Sequence, residues 1–387
     1  MSQPPEPPAQ EHPSDGSEPA APFRERDGGR IGLVLVVVAV LLVVGLWTVT
    51  LAGRVLRAPP APLALAVTLL PYLYVAVAGG LFLMWVALPD RRILPAALGG
   101  VLVSGGLLWG PSWPARSENA AGAPVRVMTW NVRRLWGWTG DGGDATQCVV
   151  QTVREADPDL LALLEVSQKD VDDLSAALGL RCVHVDYLGS GSDRAGGLAA
   201  CARGDDWHLV NGEPQRYRDT DAWRYVFTEM SHDGRVLNLL AVHLAPYYPD
   251  LSHRQMRANM QDLAHGEPGG LLGAGRSGEE IVRAQGAQSS ALLARVGRFR
   301  DPTVVVGDFN STRDAALHTA LRRVLTDAWE RGGVGFGATT RLGGWLPLRI
   351  DYVYVTRAFA VRDAHVPARD CSDHRPVVAD LVWRDAR

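Results

Sequence analysis

Asp373 and His374 stand side by side in SDHRPV, a third ionisable group, Asp351, interrupts the apolar run RIDYVYV, and Asp308 and Asn310 close TVVVGDFN. Three further apolar runs end in the same way: VRVMTWN on Asn131, LLALLE on Glu165 and LNLLAVH on His243. Each run reads as a buried strand. A strand that carries a carboxylate or imidazole into an apolar interior loses stability unless that group finds a partner. Six such strand ends are best satisfied by one another, or by a shared cation, at one edge of a sheet. Carboxylates, amides and imidazoles without thiolates are the donor set of a hard divalent cation working on phosphate.

The groups separate by role. Asp308 and Asn310 are two residues apart and share a face if the chain stays extended, so an acceptor and an amide donor can hold a water and a phosphate oxygen together; a plain Asx turn after the strand is the competing reading. Asp373 and His374 are adjacent and point to opposite sides, which calls for different partners. Asp351 lies within a strand, where an imidazole is its natural mate. Glu165 is costly to bury unpaired, and a metal accounts for it. Asn131 is placed to support Glu165 or the metal, and His243 to donate to phosphate. Arg133 and Arg134, directly after TWN, read equally as phosphate contacts or as a solvated pair.

The elements that must position these groups occupy the last two-thirds of the chain. Residues 1–30 are rich in Pro, Glu, Ser and Ala and read as a disordered tail. Apolar stretches at about 31–51, 62–88 and 93–109 predict three membrane spans within a 31–110 membrane region. A linker of Pro, Ser, Ala and Gly covers 111–123, and a water-facing domain covers 124–387. Arginines 24, 26, 30, 91 and 92 flank one side of three spans and arginines 54, 57, 116 and 126 the other, which would leave the domain outside the cytoplasm of a multi-pass protein. Helical spacing covers 145–156, 168–178 and 285–296; strands are expected at 183–187, 197–203, 224–230 and 235–243. Residues 250–280, polar and Gly-rich, read as an exposed loop or lid. The mixture predicts an α/β sandwich with antiparallel-rich sheets and helices outside.

Charge and cysteines narrow the function. The chain has 39 Lys plus Arg and 42 Asp plus Glu; the first 111 residues hold 7 of each, leaving 32 against 35 in the remainder. A net −3 is a poor match to nucleic acid, which usually selects a basic face. Cys148, Cys182, Cys201 and Cys371 show no zinc-type spacing and read as buried free thiols, with a Cys182–Cys201 bridge as the alternative.

The ordered set TWN, LLE, VHLAP, GDFN, RIDYV and SDHRP, over about residues 124–385, resembles the endonuclease/exonuclease/phosphatase superfamily. The resemblance implies a four-layer α/β/β/α sandwich, here preceded by three transmembrane helices, and Mg²⁺- or Mn²⁺-dependent phosphoester hydrolysis. It implies Glu165 as principal metal ligand with Asn131 beside it and Asp373 as a further metal-site carboxylate. Asp308 would orient water, Asn310 and His243 would bind phosphate, and His374, oriented by Asp351, would sit at the scissile phosphate. Many nucleases of the superfamily have Gln where this chain has Leu164. The three spans with this domain are also similar to bacterial membrane phosphatases linked to teicoplanin resistance, which implies a lipid bilayer as partner and a lipid-linked phosphorylated substrate such as undecaprenyl pyrophosphate. An extracytoplasmic nuclease is the alternative on the same chemistry, and an inactive membrane-linked binding module the alternative of another class.

Overall fold

The computed structural model describes residues 24–88, 92–109, 122–135, 137, 144–187, 196–216, 224–245 and 268–384. Four apolar helices come first: α1 (Arg24–Val55), α2 (Ala61–Thr68), α3 (Leu70–Ala87) and α4 (Ile93–Trp109). Two of them, over Ile31–Val55 and Leu70–Ala87, are long and apolar enough to cross a membrane by length and composition; Ile93–Leu108 is shorter. The expectation of three spans is thus corrected to two helices that meet this measure, with the shorter α4 at the place of the third. The second predicted stretch is also not continuous. It breaks at Leu69, because Pro71 occupies the first turn of α3, where its missing N–H is no loss, and so starts a new helix. The arginine argument for orientation required an odd number of spans and loses its footing. Residues 24–30, assigned to the tail, continue α1; the rest of the tail and linker residues 111–121 lie outside the described residues.

The domain that follows holds β1 (Pro124–Asn131), α5 (Thr146–Ala156), β2 (Leu160–Val166), α6 (Gln168–Leu178), β3 (Leu180–Asp186), β4 (Gly197–Arg203), β5 (His208–Arg216), β6 (Arg224–His232) and β7 (Arg235–His243). It continues with α7 (Pro268–Val296), β8 (Thr303–Asp308), α8 (Ala316–Leu321), β9 (Thr326–Asp327), α9 (Ala328–Gly332), β10 (Thr340–Leu342), β11 (Leu346–Leu348), β12 (Asp351–Val355), β13 (Phe359–His365) and β14 (Val377–Trp383). Two six-stranded sheets form, in the orders β13-β14-β1-β2-β4-β3 and β5-β6-β7-β8-β12-β9, with β10-β11 as a separate hairpin. β1 runs parallel to β2 and antiparallel to β14, so the first and last strands of the domain are neighbours. β7 and β8 are the parallel pair of the second sheet.

Strand alternation builds the layers. Val125, Val127, Leu160, Ala162 and Leu164 of the first sheet meet Leu239, Ala241, Val304, Val306 and Val353 of the second in one apolar cluster between the sheets. The opposite faces carry Met128, Trp130, Leu161 and Leu163 against Val149, Val153, Val171 and Leu174 of α5 and α6. On the second sheet, Leu240, Val242, Val305 and Tyr352 lie against Leu292 of α7 and Leu317 of α8. Most predicted elements hold to within a few residues. The 250–280 loop does not: α7 begins at Pro268, and residues 246–267 are outside the described set.

The cysteines form two disulfides, Cys148–Cys371 and Cys182–Cys201, and none of the four is free. This overturns the free-thiol reading. Cys182 and Cys201 face each other across β3 and β4. Cys148 and Cys371, 223 residues apart, meet because α5 covers the sheet next to the segment that leads into β14.

Candidate active site at the paired strand ends

β1, β2, β7 and β8 all deliver their C-terminal residues to one end of the sandwich, because the parallel pairs bring Asn131 opposite Leu164 and His243 opposite Asp308. β12 runs antiparallel to β8, so its first residue, Asp351, lies opposite Asp308. Gly307 makes the β7–β8 approach possible. Its φ is 137°, and a Cβ there would lie 1.9 Å from the Val242 carbonyl oxygen.

Glu165 reaches the site through a β-bulge. The register with β4 shifts between Leu164 and Val166, and Glu165 takes a left-handed φ of 56°. Leu164 still faces the space between the sheets while Val166 faces the helices, so the extra residue re-aims Glu165 outward. A left-handed non-glycine residue costs of order 1 kcal/mol or more and persists where the surroundings fix it.

Asn131 ties the two sheets together. Its Nδ2 donates to Glu165 Oε1 at 2.8 Å and to Asp308 Oδ2 at 3.3 Å. Asp308 Oδ1 accepts from the Asn310 backbone N–H at 2.8 Å, so an Asx turn does exist, inside the site. Asn310 Nδ2 donates to the Leu244 carbonyl at 2.8 Å. His374 Nδ1 donates to Asp351 Oδ2 at 2.9 Å, the pairing expected for the buried strand carboxylate. His374 Nε2 lies 3.8 Å from Asp308 Oδ2, and His243 Nε2 lies 3.6 Å from the same oxygen. Seven of the eight predicted residues therefore form one connected group. The eighth, Asp373, pairs with Arg133 Nε at 3.3 Å and acts on Glu165 and His374 through its charge.

The electrostatics follow from crowding in a dry site. Burial pushes the carboxyl of Asp308 well up, and the neighbouring Asp351 adds to this. Burial, then the charge of Asp373, also raises Glu165. Burial opposes charge on His374, but Asp351, Asp308 and Asp373 outweigh it and hold the imidazolium well above the usual histidine range. His243 goes the other way: burial and then the His374 charge pull it down to about 3. The Tyr187 hydroxyl donates to His243 Nδ1 at 2.5 Å, leaving Nε2–H of the neutral ring to face Asp308. The site thus shifts its two imidazoles in opposite directions around a shared carboxyl group.

A divalent cation suits this donor set. Burial disfavours the charged form of Glu165 and Asp308, a cost that a bound cation would offset, and Asp351 Oδ1 is buried with no hydrogen-bond partner. The tightest ligand cluster among the described residues is Asp308, Asp351 and His374, with candidate atoms within 4.8 Å of one another. His374 and Asp351 already spend facing atoms on each other, so that trio is better described as an acid–base pair beside Asp308; Glu165 is the more open oxygen donor.

Several contributors escaped the sequence reading. Gln285, buried on α7, donates to the carbonyls of Ala245, Phe309 and Asn310, and Gln288 accepts from the Ala245 N–H. Two glutamines three residues apart on an otherwise apolar helix face were the available signal. Tyr187 had none, since it follows a strand with no motif. Trp130 Nε1 donates to the His374 carbonyl, and Ser372 Oγ to the Asn131 carbonyl, locking the SDH segment to β1.

Residues 128–374 match the Endonuclease/Exonuclease/phosphatase family, a span that contains every predicted site residue. The UPF0294 protein VP2298 of Vibrio parahaemolyticus is 31% identical over 99 residues, which are 26% of this chain and about a third (34%) of that protein. Among solved structures, a mannosyl-6-phosphatase of Bacteroides thetaiotaomicron superposes with a TM-score of 0.52 at 18% identity, covering 67% of this chain and 100% of that one. An endonuclease/exonuclease/phosphatase from Bacteroides vulgatus gives 0.51 at 17%, covering 68% and 100%. The human Nocturnin catalytic domain with bound sulfate gives 0.50 at 19%, covering 68% and 96%. At these identities the likeness establishes the fold.

Proposed function

Because the chain belongs to the endonuclease/exonuclease/phosphatase family, whose members hydrolyse phosphoester bonds, we propose that it is a membrane-anchored, divalent-metal-dependent phosphoesterase acting on a lipid-linked phosphate or pyrophosphate. The observation that carries the reading is the single hydrogen-bonded group from Glu165 through Asn131 and Asp308, with the His374–Asp351 pair closing it.

In this reading Glu165 and Asn131 hold a Mg²⁺ or Mn²⁺ ion, with Asp373 as an outlying carboxylate of the same site. The ion, when bound, polarises a phosphoryl oxygen and neutralises charge that develops on it. Asp308, kept in place by Asn131 and the Asn310 N–H, orients the attacking water. His374 presents a proton and a positive charge to the phosphoryl group, and Asp351 fixes its ring and tautomer. His243 donates its Nε2–H, and Asn310 supplies the remaining amide proton. These donors are fixed before substrate arrives, which is what electrostatic stabilisation of a phosphoryl transition state requires.

Anchoring is supported by the two long apolar helices. Only 22% and 17% of their most apolar windows are buried, the reverse of a core helix in a soluble protein. Placement of the domain outside the cytoplasm is supported by the two disulfides, which persist in oxidising compartments. Phosphate release from a polyprenyl pyrophosphate by the full chain in detergent with Mg²⁺, with Asp308→Ala and His374→Ala as blanks, tests the reading. Efficient DNA cleavage without release from any lipid phosphate refutes the substrate; equal rates in the blanks refute the site.

A further inference from the structure

Among the described residues, the helices and the domain share specific contacts, several of them with segments that flank the site. Arg54, in the last turn of α1, pairs with Asp314 at 3.5 Å, four residues beyond Asn310. The Ala61 N–H at the start of α2 donates to Glu279 of α7 at 2.8 Å. Gly286 of α7 lies so close to Ala58 that a Cβ would meet the alanine methyl at 2.8 Å. Tyr72, in the first turn of α3, donates its hydroxyl to the Pro347 carbonyl at 2.5 Å.

Pro347 belongs to the β10–β11 hairpin, whose tip is Gly343, Gly344 and Trp345. Trp345 is 74% exposed. A water-exposed indole of that size on a tip built to project it asks for a partner with an apolar and a wet side. The hairpin base is tied to the site. Thr339 Oγ1 accepts from the Asp351 N–H, Arg375 donates its N–H to the Thr339 carbonyl, and Thr340 Oγ1 donates to the Asp373 carbonyl. The hairpin therefore touches the first turn of a candidate membrane helix on one side, and on the other its base holds the Asp351 backbone and the residues on either side of His374.

We infer that the β10–β11 hairpin is a second membrane contact, with Trp345 seated in the headgroup layer of the bilayer that α3 enters. The inference rests on the anchoring proposed above and deepens it. Trp is enriched at this depth because its ring is apolar and its N–H is not. Trp345 and Asp351 are six positions apart in the chain, roughly 20 Å when extended at about 3.3 Å per residue. The active site would then lie within reach of a phosphate headgroup while its lipid tail stays in the bilayer. A bilayer is favoured over a protein partner because the patch is continuous with the Tyr72 contact to α3.

The disulfides make the test clean, since an introduced cysteine is the lone free thiol. The full chain is reconstituted into phosphatidylcholine/phosphatidylglycerol vesicles with an environment-sensitive fluorophore at one of three positions. These are Trp345→Cys; Val75→Cys, on α3; and Asp233→Cys, in the β6–β7 turn at the opposite end of the sandwich. Nitroxide-labelled lipids serve as quenchers. The expected result is that the label at 345 is quenched several-fold more than that at 233, with headgroup nitroxide more effective than deep acyl-chain nitroxide, and that the label at 75 is quenched by the acyl-chain probe. A label at 345 quenched no more than that at 233, with 75 still quenched, overturns the hairpin contact and leaves the anchor standing. Absence of quenching at 75 overturns the anchor, and the hairpin contact with it.

Discussion

Removing the Cys148–Cys371 bridge by Cys148→Ala/Cys371→Ala gives a large and separable effect. The bridge closes a loop of 223 residues. In the chain-entropy account, closing such a loop removes roughly 18 cal/mol/K from the unfolded chain, about 5.4 kcal/mol at 25 °C. Cys182–Cys201, separated by 19 residues, contributes about 3.2 kcal/mol on the same account. With a urea slope of roughly 3 kcal/mol/M for a domain of this size, the first variant should unfold at a midpoint about 1–2 M lower, and Cys182→Ala/Cys201→Ala about 1 M lower. The two should also part in activity. Cys371 immediately precedes Ser372–Asp373–His374, whose backbone is held to β1 by Ser372 and Trp130, whereas Cys182 lies on the edge strand β3. Loss of the first bridge should lower kcat at urea concentrations where the protein is still folded; loss of the second should leave kcat unchanged. Unfolding followed by circular dichroism, phosphate release, and thiol titration without reductant supply the readouts. Four titratable thiols in unreduced protein, or a midpoint shift below about 0.3 M for the first variant, would refute the reasoning.

Asp351→Asn keeps a hydrogen-bond acceptor for His374 but removes the charge that sustains the imidazolium; a charge-assisted bond of this kind is worth about 1.5–3 kcal/mol, so kcat/KM should fall roughly 10- to 150-fold with little change in fold. Asn131→Leu removes the amide that separates Glu165 from Asp308, and Mg²⁺ affinity measured by titration calorimetry should fall by at least 10-fold. Arg349→Met strands Asp327, which the buried guanidinium pairs with under the ring of Tyr352; denaturant unfolding should show a loss of about 3–5 kcal/mol. Gln285→Leu leaves the carbonyls of Ala245, Phe309 and Asn310 without that donor, and should cost about 1–3 kcal/mol with a measurable drop in kcat.

The site was legible because strand ends carry their own signal. An apolar run closing on Glu165, His243 or Asp308 is costly in isolation, and parallel neighbours bring such ends together. That Asp351 takes an imidazole followed from the same argument, and the family resemblance implied that it is His374. What escaped depends on contacts between segments far apart in the chain. The 223-residue spacing of Cys148 and Cys371 encodes nothing until α5 covers the sheet beside β14. The different partners expected for the adjacent Asp373 and His374 are Arg133 and Asp351, and the first of these had no signal in the sequence. The third span failed on length, and the helical start of α7 at Pro268 was hidden by glycines that read as loop. Glu165 could be placed at a strand end from sequence, but the bulge that turns it outward is visible only once β4 pairs with β2.

Adjacency of β1 and β14 has a consequence for biosynthesis. The strand that carries Asn131 is made before β2–β13, yet its partner Val377–Trp383 is made only after all of them. Until then the first sheet is split at β1, and His374 has no strand behind it. The apolar helices precede the domain in the chain and are complete long before β14 and the His374 segment exist. A product terminated before β14 would lack His374 and an inner strand of the sheet rather than a dispensable edge.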